Sequence, residues 1–107
     1  MPSLHPQIHE VLRVMDEAEL RPIEEMTPAE AREQMEATAR ARKAEPLPVG
    51  RVEERMIPGP GGELRLRLCW PLAPAPVPVI VYYHGGGHVI GSLDTHDFVA
   101  RNLCAGM

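Results

Sequence analysis

The apolar run Val77-Pro78-Val79-Ile80-Val81-Tyr82-Tyr83 ends directly on His84-Gly85-Gly86-Gly87, and no other feature constrains the chain as much as that junction. A short run rich in β-branched and aromatic residues suits a buried strand. Consecutive glycines then give a loop whose backbone is free to take φ > 0 and to lie close against a ligand. N–H groups held open in such a loop can receive the negative charge that develops on a carbonyl oxygen during acyl transfer. Losing one such donor costs on the order of 3–4 kcal/mol of barrier. Taken alone, the three glycines also fit a plain turn between a strand and a helix.

Composition narrows the partners. Eleven Lys and Arg stand against 15 Asp and Glu, a formal charge of −4, with no block of like charge to follow a phosphate backbone. Nucleic acid is not an expected partner. The chain has the length of one ordinary domain, but one Trp, one Phe and two Tyr leave little bulk for an independent core. Its 12 prolines are roughly twice the average usage and cluster between Pro46 and Pro78, breaking that stretch into short strands and turns. Met1-Pro2-Ser3-Leu4-His5-Pro6 lacks the basic and apolar regions of a signal peptide, and no run approaches the roughly 18 apolar residues of a membrane span. The expected address is therefore the cytoplasm. Cys69 and Cys104 are too few for a disulfide framework, and they read as reduced, half-buried hydrophobes.

The pattern along the chain predicts five further elements. Ile8, Val11, Leu12, Met15 and Ala18 recur at helical spacing from Pro6 to about Leu20. Thr27-Pro28-Ala29-Glu30 opens a second helix, with Thr27 as cap, Pro28 at the first helical position and Glu30 completing a capping box; it should run to about Lys43. Arg51–Ile57 and Glu63–Trp70 flank the turn-forming cluster Pro58-Gly59-Pro60-Gly61-Gly62 and predict a β-hairpin. In its second arm Leu64, Leu66, Leu68 and Trp70 share one face, and Glu63, Arg65, Arg67 and Cys69 form the face expected to meet solvent. After the strand Val79–Tyr83 and the glycine loop, a helix capped by Asp94 or Thr95 should run to about Ala105.

Val81-Tyr82-Tyr83-His84-Gly85-Gly86-Gly87, followed by Gly91-Ser92-Leu93-Asp94-Thr95-His96-Asp97, closely resembles the hormone-sensitive-lipase-like group of α/β-hydrolases, bacterial carboxylesterases and lipases. The resemblance is specific over about Pro78 to Gly106 and covers the family's N-terminal third. It implies an α/β fold: a helical cap in residues 1–45, then from 46 to 107 the start of the hydrolase core, with an antiparallel hairpin, the first parallel strand, the oxyanion loop and the following helix. It also implies that the N–H groups of Gly86 and Gly87 line an oxyanion hole, that Gly85 gives the turn room and that His84 is structural. His88 stands where relatives often carry a Trp or Phe lining the acyl pocket, which would make this pocket more polar. The implied substrate is a small-molecule ester, with no cofactor.

No triad member matches a residue here. Ser3 and Ser92 are the only serines, and neither sits in the Gly-x-Ser-x-Gly turn that would present a nucleophile. The chain is therefore expected to be the N-terminal portion of an esterase or, alternatively, a catalytically silent fragment or small interaction module. In the family a later strand inserts between the hairpin and the Val79 strand, so an incomplete, partly ordered sheet is expected. His84, His88 and His96 with Asp94 and Asp97 could be read as metal ligands, but three glycines between His84 and His88 rule out the helical face that would align them, and no metal is expected.

Overall fold

The structure, a computed structural model, describes residues 3–42 and 44–107. Helix α1 spans Pro6–Glu17, a 3-10 turn follows at Ile23–Glu25, and α2 spans Pro28–Ala41. Strands β1 (Arg51–Gly59) and β2 (Gly62–Trp70) form an antiparallel pair, and α3 (Asp97–Ala105) ends the element order.

Each boundary has a local cause. At α2, the Thr27 Oγ1 accepts from the Glu30 N–H at 3.3 Å while the Glu30 carboxylate accepts from the Thr27 N–H at 2.8 Å, so two N–H groups left open at the helix start are satisfied reciprocally. The helix ends at Ala41; Lys43, its expected limit, lies outside the described residues, as do Met1 and Pro2. In α1, His5 caps with its ring, accepting from the Gln7 N–H at 3.3 Å. That helix stops at Glu17 rather than Leu20, and Ile8, Val11, Leu12 and Met15 all remain exposed along its apolar stripe. The hairpin is tighter than the glycine and proline cluster implied. Gly59 pairs with Gly62, which leaves Pro60-Gly61 as a two-residue turn.

Three expectations need correction. Val79–Tyr83 forms no ladder among the described residues: the only sheet is the hairpin, and Val79 and Tyr83 are 87% and 86% exposed. A strand is defined by its hydrogen-bonding neighbour, and no element of the described chain lies beside this one. The face of β2 expected to be solvated is the one that α3 covers at its far end. Leu64 and Leu66 are exposed, whereas the Arg67 side chain is 14% exposed and burial pushes the Cys69 thiol up, with the buried Cys104 of α3 close by. Finally, neither Asp94 nor Thr95 caps α3. Ser92 opens that turn instead: its Oγ accepts from the Thr95 N–H at 3.2 Å, and Thr95 Oγ1 accepts from the Ser92 N–H at 2.8 Å. The reciprocal arrangement buries Thr95, and α3 proper starts at Asp97.

Asp94 is drawn away by Arg67. One terminal nitrogen of Arg67 donates to Glu54 and to Asp94, each at 2.6 Å, and the other to Asp97 at 2.9 Å and to the Leu93 carbonyl at 3.1 Å. Asp97 in turn accepts from Arg101 at 2.7 Å. Burial alone would pull the Arg67 guanidinium down, but the carboxylates outweigh it and hold it above the usual range. This cluster joins both hairpin strands to α3. Apart from Thr95, the buried residues among those described are Ala31 and Cys104, and the accessible area is 8763 Å². A closed 11.8 kDa domain exposes about 5,900 Å². The fold therefore presents its apolar faces rather than enclosing them.

Thr27→Ala is expected to cost α2 about 1 kcal/mol, seen as lost helical circular dichroism signal; an unchanged signal contradicts the capping role. Arg67→Met leaves three carboxylates facing one another. After discount for the exposure of Asp94 (63%), the expected loss is roughly 2–3 kcal/mol in urea unfolding. The hydrogen bond from Arg67 holds the Asp94 carboxyl below its ordinary value of 3.8. A depressed acid stabilises fully above that value and stops doing so as pH falls through its lowered one. Amide protection in α3 is accordingly expected to be flat above about pH 4 and to decline below it, with the decline absent in Arg67→Met.

Candidate functional site

The glycine loop is built around the Gly86 carbonyl, which accepts from the N–H groups of Val89 and Ile90, both at 3.0 Å. This closes a turn in which Gly87 and His88 are exposed. Gly86 sits at φ +135°, and a Cβ there would collide with the Ile90 carbonyl, so both its conformation and its surroundings demand glycine. Gly91, at φ +98°, lets the chain pass against the His84 ring, where a Cβ would come within 2.7 Å of Nδ1. His88 takes φ +59°, the left-handed region that costs a residue with a Cβ roughly 1–2 kcal/mol. Strain of this kind persists only where the surroundings impose it, and it concentrates at functional sites.

The turn uses the Gly86 carbonyl but none of the neighbouring donors. Among the described residues, the N–H groups of Gly86 and Gly87 have no acceptor. They belong to the wall of a cleft of about 370 Å³ whose polar side chains are Arg32, His84 and His88. Two backbone donors left open beside a cavity can accept an oxygen that carries or gains negative charge.

Contacts from distant parts of the chain hold this loop. His84 Nδ1–H donates to the Gly85 carbonyl at 2.7 Å, and its ring stacks on His96 with centroids 4.8 Å apart and planes 20° apart. His96 is fixed in turn, with its Nδ1 2.9 Å from the Thr95 hydroxyl. From the other side Arg32 of α2 donates through Nε to the Val89 carbonyl at 2.6 Å. Beyond Gly91, the Arg67 cluster takes hold at Leu93, Asp94 and Asp97.

The residues singled out in the sequence, His84, Gly85, Gly86, Gly87 and His88, thus lie on one cleft. Sequence reasoning missed Arg32, Arg67 and Ser92. The Ser92-x-x-Thr95 spacing is a capping signature that could have revealed the third. Arg67 and Arg32 make contacts 26 to 30 and 57 residues away, and no local pattern encodes those.

No protein-family profile matches the chain. Among characterised proteins, it is 43% identical over 84 residues to carboxylesterase NlhH of Mycobacterium tuberculosis, a match covering 75% of this chain and 26% of that one. In general it spans 14% to 26% of the length of the mycobacterial relatives it matches. Its structure superposes on the hyperthermophilic esterase of the archaeon Pyrobaculum calidifontis with a TM-score of 0.80 and 40% identity, over 96% of this chain and 33% of that one. It also superposes on an ester hydrolase from the metagenome of Lake Arreo with a TM-score of 0.83 and 33% identity, over 94% of this chain and 34% of that one. By sequence and by fold together, then, the chain is similar to one part of the α/β-hydrolase esterases of the hormone-sensitive-lipase-like kind.

Proposed function

We propose that this chain supplies the oxyanion-binding segment of a carboxylic-ester hydrolase. The observation that carries the reading is the pair of acceptor-free N–H groups of Gly86 and Gly87 on the cleft. In the proposed reaction the carbonyl oxygen of a small ester sits between these two donors. As a nucleophile adds to the carbonyl carbon, charge moves onto that oxygen, and the two hydrogen bonds strengthen most in the tetrahedral intermediate. Such a difference between ground and transition state is what accelerates a reaction. The donors need little reorganisation, because the two bonds to the Gly86 carbonyl already set the turn. His88 borders the acyl group in this reading and favours a more polar one than an aromatic residue would.

A serine presented on a Gly-x-Ser-x-Gly turn, with its acid and base, is not encoded in these 107 residues. Relatives 43% and 44% identical to this chain are named as a carboxylesterase and an esterase, and the hydrolytic reading rests on that likeness together with the loop. The free thiols of Cys69 and Cys104 suit a reducing compartment, and the cytoplasm is the address we propose. The missing nucleophile favours a second reading, a silent interaction module, for the chain acting alone.

The test joins residues 1–107 to the remaining C-terminal part of NlhH and follows hydrolysis of 4-nitrophenyl butyrate. The joined protein is expected to turn over the ester and the 107-residue chain alone to leave it untouched. Gly86→Ala, which displaces the loop, is expected to lower kcat by about 10²- to 10³-fold with KM changed little. Full activity in that variant would remove Gly86 from the oxyanion role.

A further inference from the structure

Arg32 stands apart from the other arginines. Arg13, Arg21, Arg40, Arg51, Arg55, Arg65, Arg67 and Arg101 each pair with a carboxylate. Arg42 lies over the Phe98 ring at 5.8 Å. Arg32 makes one contact, from Nε to the Val89 carbonyl, and its two terminal nitrogens have no hydrogen-bond partner among the described residues. Glu36 is four residues further along the same helix, the spacing at which ion pairs form readily, yet Arg32 bonds to the loop instead.

The place it turns to has a single sign. Arg32 lines the cleft with the backbone donors of Gly86 and Gly87 and with the imidazoles of His84 and His88, and among the described residues no Asp or Glu lines it. A guanidinium held at one nitrogen keeps a planar pair of donors for a carboxylate. From this arrangement, and resting on the ester reading above, we infer that Arg32 makes the cleft selective for esters bearing a carboxylate a few bonds from the reacting carbonyl, such as half-esters of short dicarboxylic acids. The carbonyl oxygen goes to Gly86 and Gly87, and the carboxylate to Arg32. The cleft is open to water, so the preference is modest, about tenfold, equivalent to about 1.4 kcal/mol, and added salt weakens it.

The experiment titrates the ¹⁵N-labelled 107-residue chain with monomethyl succinate and with methyl butyrate, which differ by a terminal carboxylate in place of a methyl group. The amide resonances of Gly86 and Gly87 report binding. The expected result is that both esters shift these resonances, that monomethyl succinate does so at about tenfold lower concentration, that Arg32→Gln abolishes this preference, and that Arg32→Lys, which keeps the charge but not the paired donors, retains only part of it. Equal affinities in the parent chain overturn the proposal, as does a preference that survives Arg32→Gln. If Gly86 and Gly87 respond to methyl butyrate while charge adds nothing, the ester reading stands and only the role of Arg32 falls. If neither ester moves them, the role of Arg32 falls, and the ester reading is decided by the activity of the joined protein.

Discussion

Arg67 is the contact on which the arrangement of the site depends. The hairpin is a local structure, formed by neighbours in sequence around a two-residue turn, and α3 is a short helix with a single buried residue. Neither would fix the other's position by apolar burial, because three described residues in all are buried. A guanidinium that meets Glu54 across the hairpin, and Leu93, Asp94 and Asp97 beyond the glycine loop, supplies what packing does not. It is mostly buried and flanked by carboxylates that remain partly in water, so the pairing keeps much of its Coulomb attraction at limited cost in desolvation.

The loop is held from three sides by contacts that leave its donors alone. Arg32 takes the Val89 carbonyl, the His84 ring rests on His96, and Arg67 grips the residues just past Gly91. Inside the loop, the Gly86 carbonyl is fully engaged while the N–H groups on the same side of the turn stay open. In the proposed reading these spare donors take the oxygen that gains negative charge. His88 takes the left-handed conformation within the same loop, next to Gly87 at φ +60°.

How much of this could be read beforehand depended on the range of the interactions. The capping box at Thr27 and Glu30 lies within four residues, and it was readable from residue types alone. So were the hairpin and the glycine loop, each marked by residues that few backbones other than turns accept. Val79–Tyr83 has strand composition without a strand's neighbour, which shows that composition reports suitability for a sheet and pairing decides it. On β2, alternation correctly separated two faces. It could not tell which one α3 would cover, because Arg67 looks like a solvated residue until its partners some 30 residues away are known. Ser92 was overlooked in favour of Asp94 and Thr95 because all three are good caps, and the choice was made by Arg67 drawing Asp94 aside.

The loop keeps the Gly86 and Gly87 N–H groups free while its own turn is closed. Amide hydrogen exchange resolved by residue tests it most directly. Near-unprotected exchange is expected at Gly86 and Gly87 beside clear protection at Val89 and Ile90, whose N–H groups are bonded to the Gly86 carbonyl. Protection at Gly86 and Gly87 would mean that the donors are already taken, and fast exchange at all four would mean that the turn does not hold; with either result the loop is not an open pair of donors.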